Sequence, residues 1–439
     1  MSGAVLAARQ SNRYTTHLRP TGERPRTVTR RTSGYTAHLH PNDLIGSTRD
    51  PAHMQFSEHP LWLVGFRPFF TLACLAGVTL PVLWASFFSG TLATPTWPFS
   101  PNQWHAHEMF FGFGWAVLGG FLLTATKNWV KIRGYHGSAL IVLVGAWLLE
   151  RAGMWYAGVL PPIVFRVSSN LFLAAIVVML LWSLIRHHQD DSFRDNYFFL
   201  IILPLFLVAK NLLLSADHFQ AGAAMTMALF RVAFLVMLER TVTQFMKNAL
   251  QADILRNPAL DRVIKLLALS LVFAGLLPAL ISSSIGLVLA LLLSIRFAFW
   301  KPQLALRRLD IGILYLGHLA IIAQLVLQFV DQIGHPEWLG SVPMHVFTFG
   351  AMGLIIPAML IRIVKGHTGR KVVFDRLDKT VLWIMIAGFV IRIIAPQLYP
   401  AGYVEWIGLA AACWCACFSI LGWRYIRYLW QPRIDGKEH

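Results

Sequence analysis

Twelve apolar stretches, each long enough to cross a membrane as a helix, dominate this sequence of 439 residues. A transmembrane helix needs about 20 mostly apolar residues, whereas a strand of a membrane barrel needs about 10 that alternate. The sequence therefore predicts an all-α, polytopic bundle of about twelve transmembrane helices. The predicted spans are 69–90, 104–126, 138–157, 163–185, 197–216, 223–246, 263–281, 284–300, 309–330, 343–364, 380–396 and 404–423, with a turn at Ser282–Ser284.

The distribution of positive charge predicts the orientation of these spans. The chain has 38 Lys and Arg against 21 Asp and Glu, and 32 of the 38 lie in the segment before the first span, in the even-numbered loops or the span ends that border them, and at the C-terminus. The odd-numbered loops contain none. Because cytoplasmic loops carry the excess of Lys and Arg, we predict that both termini are cytoplasmic. Topology accounts for the charge, so no nucleic-acid partner is inferred.

The domain organisation follows from the short loops. We predict a basic cytoplasmic tail over 1–58, a transmembrane domain over 59–430 and a short C-terminal tail over 431–439. The first tail is rich in Arg, Thr, Pro and His and is predicted to be disordered. No extramembrane enzymatic domain fits, and we predict no cleaved signal peptide. Neither a Walker A sequence nor Cys-x-x-Cys-His occurs, and the four cysteines favour packing over a soft-metal site.

Charged residues inside the spans are costly in lipid and therefore indicate function. Arg151, Arg166, Lys210 and Arg392 all fall in the predicted outer half of the membrane. Four cations at this depth suggest that an anion is held there. Glu150 and Arg151 are neighbours in sequence and are not expected to face each other on a helix, so their partners are predicted to come from other spans.

Four histidines are candidates for binding a metal or haem. His105, His107 and His345 lie on the predicted outer side, and His318 lies deeper. Neutral imidazole binds haem iron, copper and zinc alike. Residues two apart on a helix point about 200° apart, so His105 and His107 serve two different centres or lie in an unwound turn. Met109 shares a face with His105, which suits copper as well as simple packing.

Glycines in two spans are consistent with a flat cofactor. The second span contains Phe111–Gly114 and Gly119–Gly120, and the tenth contains Gly350 and Gly353. Glycine permits close approach of a backbone either to another helix or to a macrocycle. With haem as the macrocycle, its two propionates would supply the anion for the outer-half arginines.

Several local sequences resemble those of the NnrS family. They are Gly65-Phe66-Arg67-Pro68-Phe69-Phe70, Trp104-His105-Ala106-His107-Glu108-Met109, Gly120–Ala125, and the segment from His345 through Gly350–Gly353 to Gly366-His367-Thr368-Gly369-Arg370. The resemblance runs from about Phe56 to the C-terminus. It implies a multi-pass protein of the bacterial inner membrane that contains haem b and in some readings copper. It also implies a link to nitric oxide metabolism, denitrification and nitrosative stress.

The resemblance favours specific residues for these roles. The expected ligands of haem and copper are His105, His107, His318 and His345, with Met109 as a further copper ligand. Independently of the resemblance, their depth makes Arg151, Arg166 and Arg392 the expected cofactor-binding arginines. Glu108, beside the histidines, and Tyr315, one turn from His318, are the expected proton-delivering groups. His367 lies too far from His345 to share a centre with it, and either marks a second site or caps its helix.

The leading interpretation is a haem protein that binds nitric oxide and reduces or detoxifies it, possessing an oxidoreductase activity like that of nitric oxide reductases. The electron donor would be quinol or a cytochrome. One alternative is a proton- or ion-coupled secondary transporter, although no convincing repeat relates residues 60–246 to 263–423. Another is a haem-based nitric oxide sensor without turnover, and a purely structural role is the third.

Overall fold

The computed structural model describes residues 55–190 and 196–437, and these residues are helical with no strands. The basic tail predicted to be disordered lies outside the described residues, except for its last four. The α-helices are α1 Phe66–Phe88, α2 Pro101–His107, α3 Trp115–Trp129, α4 Ser138–Trp155, α5 Pro162–Arg186, α6 Tyr197–Leu214, α7 Phe219–Leu250, α8 Pro258–Ser270, α9 Ala279–Phe299, α10 Pro302–Ala305, α11 Leu309–Gly334, α12 Val342–His345, α13 Leu354–His367, α14 Arg376–Leu398 and α15 Tyr403–Leu429.

Two spans are not purely α-helical. A π-helix, π1, covers Glu108–Gly114 and joins α2 to α3, and a second, π2, covers Val346–Gly353 and joins α12 to α13. Counting each of these composite helices once, eleven segments of the described chain are long and apolar enough to cross a membrane. This confirms the predicted helical membrane bundle.

The remaining predicted span, 263–281, is a broken helix. It consists of α8 followed by a 3₁₀-helix over Leu271–Leu276, in which Phe273 has non-helical dihedral angles. Just before α8, the Leu255 N–H donates to Phe299 O, at the end of α9, at 3.2 Å. After the 3₁₀-helix, α9 begins only three residues later. The broken helix therefore runs the length of α9, and the chain passes through the bundle twelve times.

The turn between these two passes differs from its predicted position. It lies at Leu277 and Pro278, and Ser282–Ser284 belong to α9. The hydroxyl groups of Ser282 and Ser283 donate to carbonyl oxygens three residues earlier, at 3.0 and 3.1 Å. A serine hydroxyl can form its hydrogen bond within its own helix in this way. The run of serines in an apolar stretch therefore does not mark a loop here.

The start of the first span and the end of the last lie on the same side of the bundle. Arg67, in the first turn of α1, donates through Nη1 to Leu429 O at 2.7 Å and to Gln431 O at 2.6 Å. Both carbonyls belong to the end of α15 or the residues after it. An even number of passes requires this arrangement. The cytoplasmic assignment of that side remains a prediction from charge.

Three spans form the centre of the bundle. The composite helix α2–π1–α3, helix α7 and the composite helix α12–π2–α13 are much more buried than the others. Helices α4, α5, α6, α9, α14 and α15 bury less than half of their most apolar stretch inside the bundle, as helices at the lipid boundary do. The candidate residues on α2, π1 and α12 therefore lie on central helices.

Candidate functional site: two histidine environments and a buried charge cluster

Both composite helices change from α to π immediately after a candidate histidine. His107 is the last residue of α2, and His345 is the last residue of α12. Each histidine is followed at the same spacing by Phe-Gly, in Phe111-Gly112 and Phe349-Gly350 respectively. π-Helical segments are rare and occur frequently at functional sites. This short correspondence between the second and tenth spans was missed in the sequence, where only whole halves were compared.

His107 begins a cluster of charged side chains that is buried inside the bundle. Its Nδ1 lies 3.1 Å from Glu108 Oε1, and its Nε2 lies 3.6 Å from Glu150 Oε1. Glu108 Oε2 accepts a hydrogen bond of 2.9 Å from Arg151 Nη1. Lys210 Nζ donates to Glu150 Oε1 at 2.6 Å. Helices α2, π1, α4 and α6 thus each contribute to one charge-balanced group of two carboxylates, two cations and an imidazole.

The pair Glu150–Arg151 contradicts one expectation. Arg151 Nη2 donates to Glu150 Oε1 at 2.5 Å, although the two residues are adjacent on α4. The long arginine side chain folds back to reach its neighbour, a contact that helical spacing alone does not anticipate. The other half of the expectation is confirmed, since Glu108 and Lys210 come from different spans.

Gly112 makes room for this cluster in the wall of π1. A methyl group at Gly112 would lie 2.2 Å from Arg151 Nη1, so any other residue would displace the guanidinium. The Gly112 carbonyl also accepts a hydrogen bond of 3.1 Å from Trp147 Nε1. The glycine therefore serves close contact with a charged side chain, in addition to the helix packing considered from sequence.

His105 and His345 share a second environment at the ends of α2 and α12. The His105 ring stacks on Trp84 with ring centroids 4.1 Å apart. Arg392 Nη2 lies 3.3 Å from both ring nitrogens of His345, and the Arg392 guanidinium lies over the ring of Tyr403. Tyr403 packs on Phe88, which packs on Trp84, so a line of ring contacts joins the two histidines. His105 and His107 both lie in the regular helix α2, and they face different surroundings as expected.

The nitrogen atoms of His345 have distinct roles. Nδ1 lies 2.9 Å from Ser341 O, and a carbonyl oxygen only accepts, so Nδ1 carries the proton. The lone pair is then on Nε2. A histidine that donates one nitrogen to a carbonyl and offers the other is the usual arrangement for a metal ligand. His345 is half-buried, and it fits haem ligation provided that the Arg392 guanidinium, 3.3 Å from Nε2, turns toward another acceptor.

His107 fits a haem ligand less well. It is fully buried, and both of its nitrogens face carboxylates, Nδ1 toward Glu108 and Nε2 toward Glu150. Glu150 in turn is held by Arg151 and Lys210. An iron atom at Nε2 would need Glu150 to move away from both cations. The geometry of His107 suits exchange of a proton with Glu108, since Glu150 lies slightly beyond hydrogen-bond distance.

His318 and Tyr315 lie in a third environment, between α11 and α9. His318 Nε2 is 3.2 Å from Leu293 O, its ring stacks on Phe297, and its Nδ1 makes no hydrogen bond among the described residues. Tyr315 donates its hydroxyl hydrogen to Trp300 O at 2.7 Å. These contacts fasten α11 to α9, and the structure does not bring either residue to the other candidates.

Two further candidates occupy separate positions. Arg166 is exposed on α5, and no described contact joins its side chain to the two histidine environments. Met109 is half-buried in π1 and packs against the hydrophobic core. Over residues 55–190 and 196–437, no three His, Cys, Asp or Glu side chains are grouped in a way that could hold a metal ion.

Comparison with known families covers most of the chain. The family model described as NnrS protein matches residues 60–433. The match begins just before α1 and ends just after α15, so it includes the charge cluster and both histidine environments. A search of curated protein sequences gave no match.

Proposed function

The chain belongs to the NnrS family, and from this membership and the site geometry we propose that it is a haem b membrane protein that binds nitric oxide and reduces or otherwise detoxifies it. The coarser part of this statement, a multi-pass membrane protein of this family, follows from the family match and the eleven long apolar helices. The finer part rests on the residues at the ends of α2 and α12.

The observation that carries the proposal is the pairing of two histidines from different spans beside an arginine. Of His105 and His345, one would ligate the haem iron and the other would line the haem, so that the iron could still bind nitric oxide, and Arg392 would bind a propionate through charge-assisted hydrogen bonds. The Ser341 carbonyl fixes the His345 ring with its Nε2 lone pair beside the Arg392 guanidinium, which would turn toward the propionate to free Nε2 for iron. The bound haem would supply an iron atom on which nitric oxide is held. Copper, if bound as well, has His105 and Met109 as its candidate ligands.

The charge cluster would handle the protons that reduction of nitric oxide consumes. Glu108 and Glu150 are carboxylates inside the membrane domain, and His107 lies between them. Each can accept a proton, and His107 lies within hydrogen-bond distance of Glu108 at 3.1 Å, whereas a proton would cross 3.6 Å between His107 and Glu150. Arg151 and Lys210 hold the two carboxylates in place when they are ionised. Tyr315 remains a second candidate, although its hydroxyl is already committed to Trp300 O.

The test is optical spectroscopy of the purified full-length protein from haem-replete cells, before and after addition of nitric oxide. We expect a Soret band that shifts on addition of the gas. Replacing His345 or His105 by Ala should lower haem content at least severalfold, whereas His318→Ala should leave it unchanged. A colourless protein, or full haem content in both the His105 and His345 variants, would exclude the proposal.

The variant Glu108→Gln distinguishes a protein that reduces nitric oxide from one that only binds it. This variant keeps the haem and its spectrum, and the reductase interpretation requires that it consume nitric oxide more slowly with a chemical reductant. Unchanged consumption would favour another proton donor, and no consumption by the wild-type protein would favour a sensor. The buried charge cluster also suits a proton-coupled transporter, for which a colourless protein and proton uptake in vesicles are expected.

A further inference from the structure

A cavity lies at the side of the bundle predicted to be cytoplasmic, between the end of α3, the loop that follows it, the start of α4 and the end of α5. Its volume is about 330 Å³, within the range of ligand sites. None of the residues that form the two histidine environments lines it. The cavity is therefore separate from the site described above.

The loop after α3 is fixed in place over this cavity. Tyr135 donates its hydroxyl hydrogen to Met179 O on α5 at 2.9 Å, and Ser183 Oγ lies 3.2 Å from the same hydroxyl oxygen. A methyl group at Gly134 would lie 3.2 Å from Lys127 Cβ, so the loop backbone packs directly on the Lys127 side chain. The wall of the cavity is therefore formed by anchored elements of the fold.

Two cations that line the cavity have no partner in the described part of the chain. Lys127 is half-buried in the last turn of α3, and Arg133 is exposed in the following loop. Neither side chain forms a hydrogen bond or an ion pair with any residue in 55–190 or 196–437, and none of the described lining residues is a carboxylate. A half-buried ammonium group loses part of its hydration and is stabilised by a counter-charge. The lining therefore favours an anion.

Three further polar side chains of the lining are open to a ligand. His136 Nδ1 lies 2.9 Å from Gly134 O, and His187 Nδ1 lies 3.2 Å from a second carbonyl, that of Ser183. A carbonyl oxygen only accepts, so each Nδ1 carries a hydrogen, and each Nε2 has no hydrogen bond in the described structure. The buried hydroxyl of Thr126 also has no partner among the described residues. These groups suit the oxygen atoms and hydroxyl groups of a phosphate headgroup.

One wall of the cavity reaches the lipid boundary. Trp182 lines the cavity and is 66% exposed on α5, one of the helices at the lipid boundary. Val178 and Leu171, four and eleven residues earlier on the same helix, are exposed too and share its face. Tryptophan is enriched where hydrocarbon meets the lipid headgroups. A ligand with its phosphate in the cavity can therefore lay a hydrocarbon chain along this apolar stripe.

From this arrangement we propose that the cavity binds an anionic phospholipid of the cytoplasmic leaflet, with its phosphate between Lys127 and Arg133 and an acyl chain along Trp182 and Val178. Basic pockets between transmembrane helices on the cytoplasmic side bind anionic headgroups in this way. A choline headgroup would bring a third cation next to Lys127 and Arg133 and is therefore disfavoured. The inference does not depend on haem or nitric oxide.

The first experiment compares two lipids by native mass spectrometry of the full-length protein in detergent. The probes are phosphatidylglycerol and phosphatidylcholine with identical acyl chains. We expect one phosphatidylglycerol per chain to be retained under conditions that remove phosphatidylcholine. Lys127→Gln and Arg133→Gln should each weaken binding about tenfold, as loss of one charge-assisted hydrogen bond predicts. Lys131→Gln and Arg186→Gln are the matched controls, because Lys131 and Arg186 are exposed on the same side and do not line the cavity.

The second experiment fills the cavity. Ala139→Phe places a ring in the space beside the first turn of α4 and should abolish retention of phosphatidylglycerol. Ser138→Phe is the control, because Ser138 is exposed in the same turn and does not line the cavity. Circular dichroism and gel filtration establish that each variant is folded. The two glutamine variants carry the test if Ala139→Phe does not fold, since neither Lys127 nor Arg133 bonds to a described residue.

Four results would overturn the inference. They are equal retention of the two lipids, binding unchanged in both Lys127→Gln and Arg133→Gln, an effect of the control variants as large as that of the test variants, and thermal stabilisation by inorganic phosphate as large as that by phosphatidylglycerol. The last result would assign the cavity to a soluble phosphate. Haem content should be the same in all of these variants, so failure here leaves the proposed function standing.

Discussion

Removing the positive charge of Lys210 tests whether the buried charges act as one unit. In Lys210→Met, Glu150 keeps Arg151 as its only cationic partner, and Arg151 must also serve Glu108. The cluster of two carboxylates and two cations then carries a net negative charge in a region from which lipid and the bundle exclude water. Methionine fills a similar volume, so packing changes little, and the effect of the substitution is mainly electrostatic.

The structure gives the size of this effect. At 2.6 Å, opposite charges attract by about 6 kcal/mol with an effective dielectric constant of about 20. Desolvation of the lysine offsets part of this attraction. Breaking a buried pair by removing one partner typically costs about 3–5 kcal/mol, because the other charge is left uncompensated. We therefore expect Lys210→Met to lower the free energy of unfolding by about 3–5 kcal/mol.

The assay is reversible unfolding in mixed micelles, completed as a double-mutant cycle. Adding Glu150→Gln to Lys210→Met removes the unpaired carboxylate and leaves Glu108 with Arg151, so the double variant should recover most of the lost stability. Lys247→Met, at the exposed end of α7, is the control and should change stability little. A double variant that loses the sum of the two single losses would refute the coupling. A loss for Lys210→Met no larger than that of the control would refute the electrostatic reasoning altogether.

Two other substitutions test local features of the fold. Gly222→Ala should destabilise the bundle strongly, because the added methyl group would lie 2.1 Å from the backbone nitrogen of Leu213. Gly145→Ala should be neutral or slightly stabilising, because its methyl group would have nothing within 4 Å. Thermal unfolding of the two variants in detergent compares them. Asp375 caps α14 and bonds to Arg424, whose guanidinium lowers the pKa of that carboxyl to about 2. The pKa of Asp375 in the folded protein lies below its unfolded value of about 3.9, so the ionised carboxylate stabilises the protein at pH values above about 4. The difference in melting temperature between wild type and Asp375→Asn should therefore shrink as the pH falls from about 4 toward 2.

The spans could be predicted from sequence because lipid imposes one rule on all of them. Every backbone polar group in the membrane must bond within its own helix, so a long apolar stretch determines both the structure and its length. The rule says less about breaks. Helix α8 ends early and a 3₁₀-helix completes its pass, although the hydropathy of 263–281 is continuous. Both π-helices were missed for the same reason, since a change in hydrogen-bond register leaves hydropathy unaltered.

The candidate site was only partly predictable, because its contacts are between spans. The divergence of His105 and His107 follows from 100° per residue along one helix and was predicted. The bond from Lys210 to Glu150 joins residues 60 apart in sequence, and no pattern along the chain specifies it. Arg166 shows the opposite failure: its depth matched the other cations, but depth does not say which face of α5 carries it, and it is exposed.

The energetics of the charge cluster separate stability from function. A buried group of two carboxylates and two cations gains little over apolar side chains of the same shape, because desolvation consumes most of the Coulombic attraction. Lys210 lies over the ring of Phe111 and Arg151 lies over Trp147, and these aromatic neighbours would accommodate apolar residues as well. Stability therefore does not account for charges at this depth. Glu108 and Glu150 lie beside His107, where the helix changes from α to π, and under the proposed function these groups would handle the protons that the chemistry consumes.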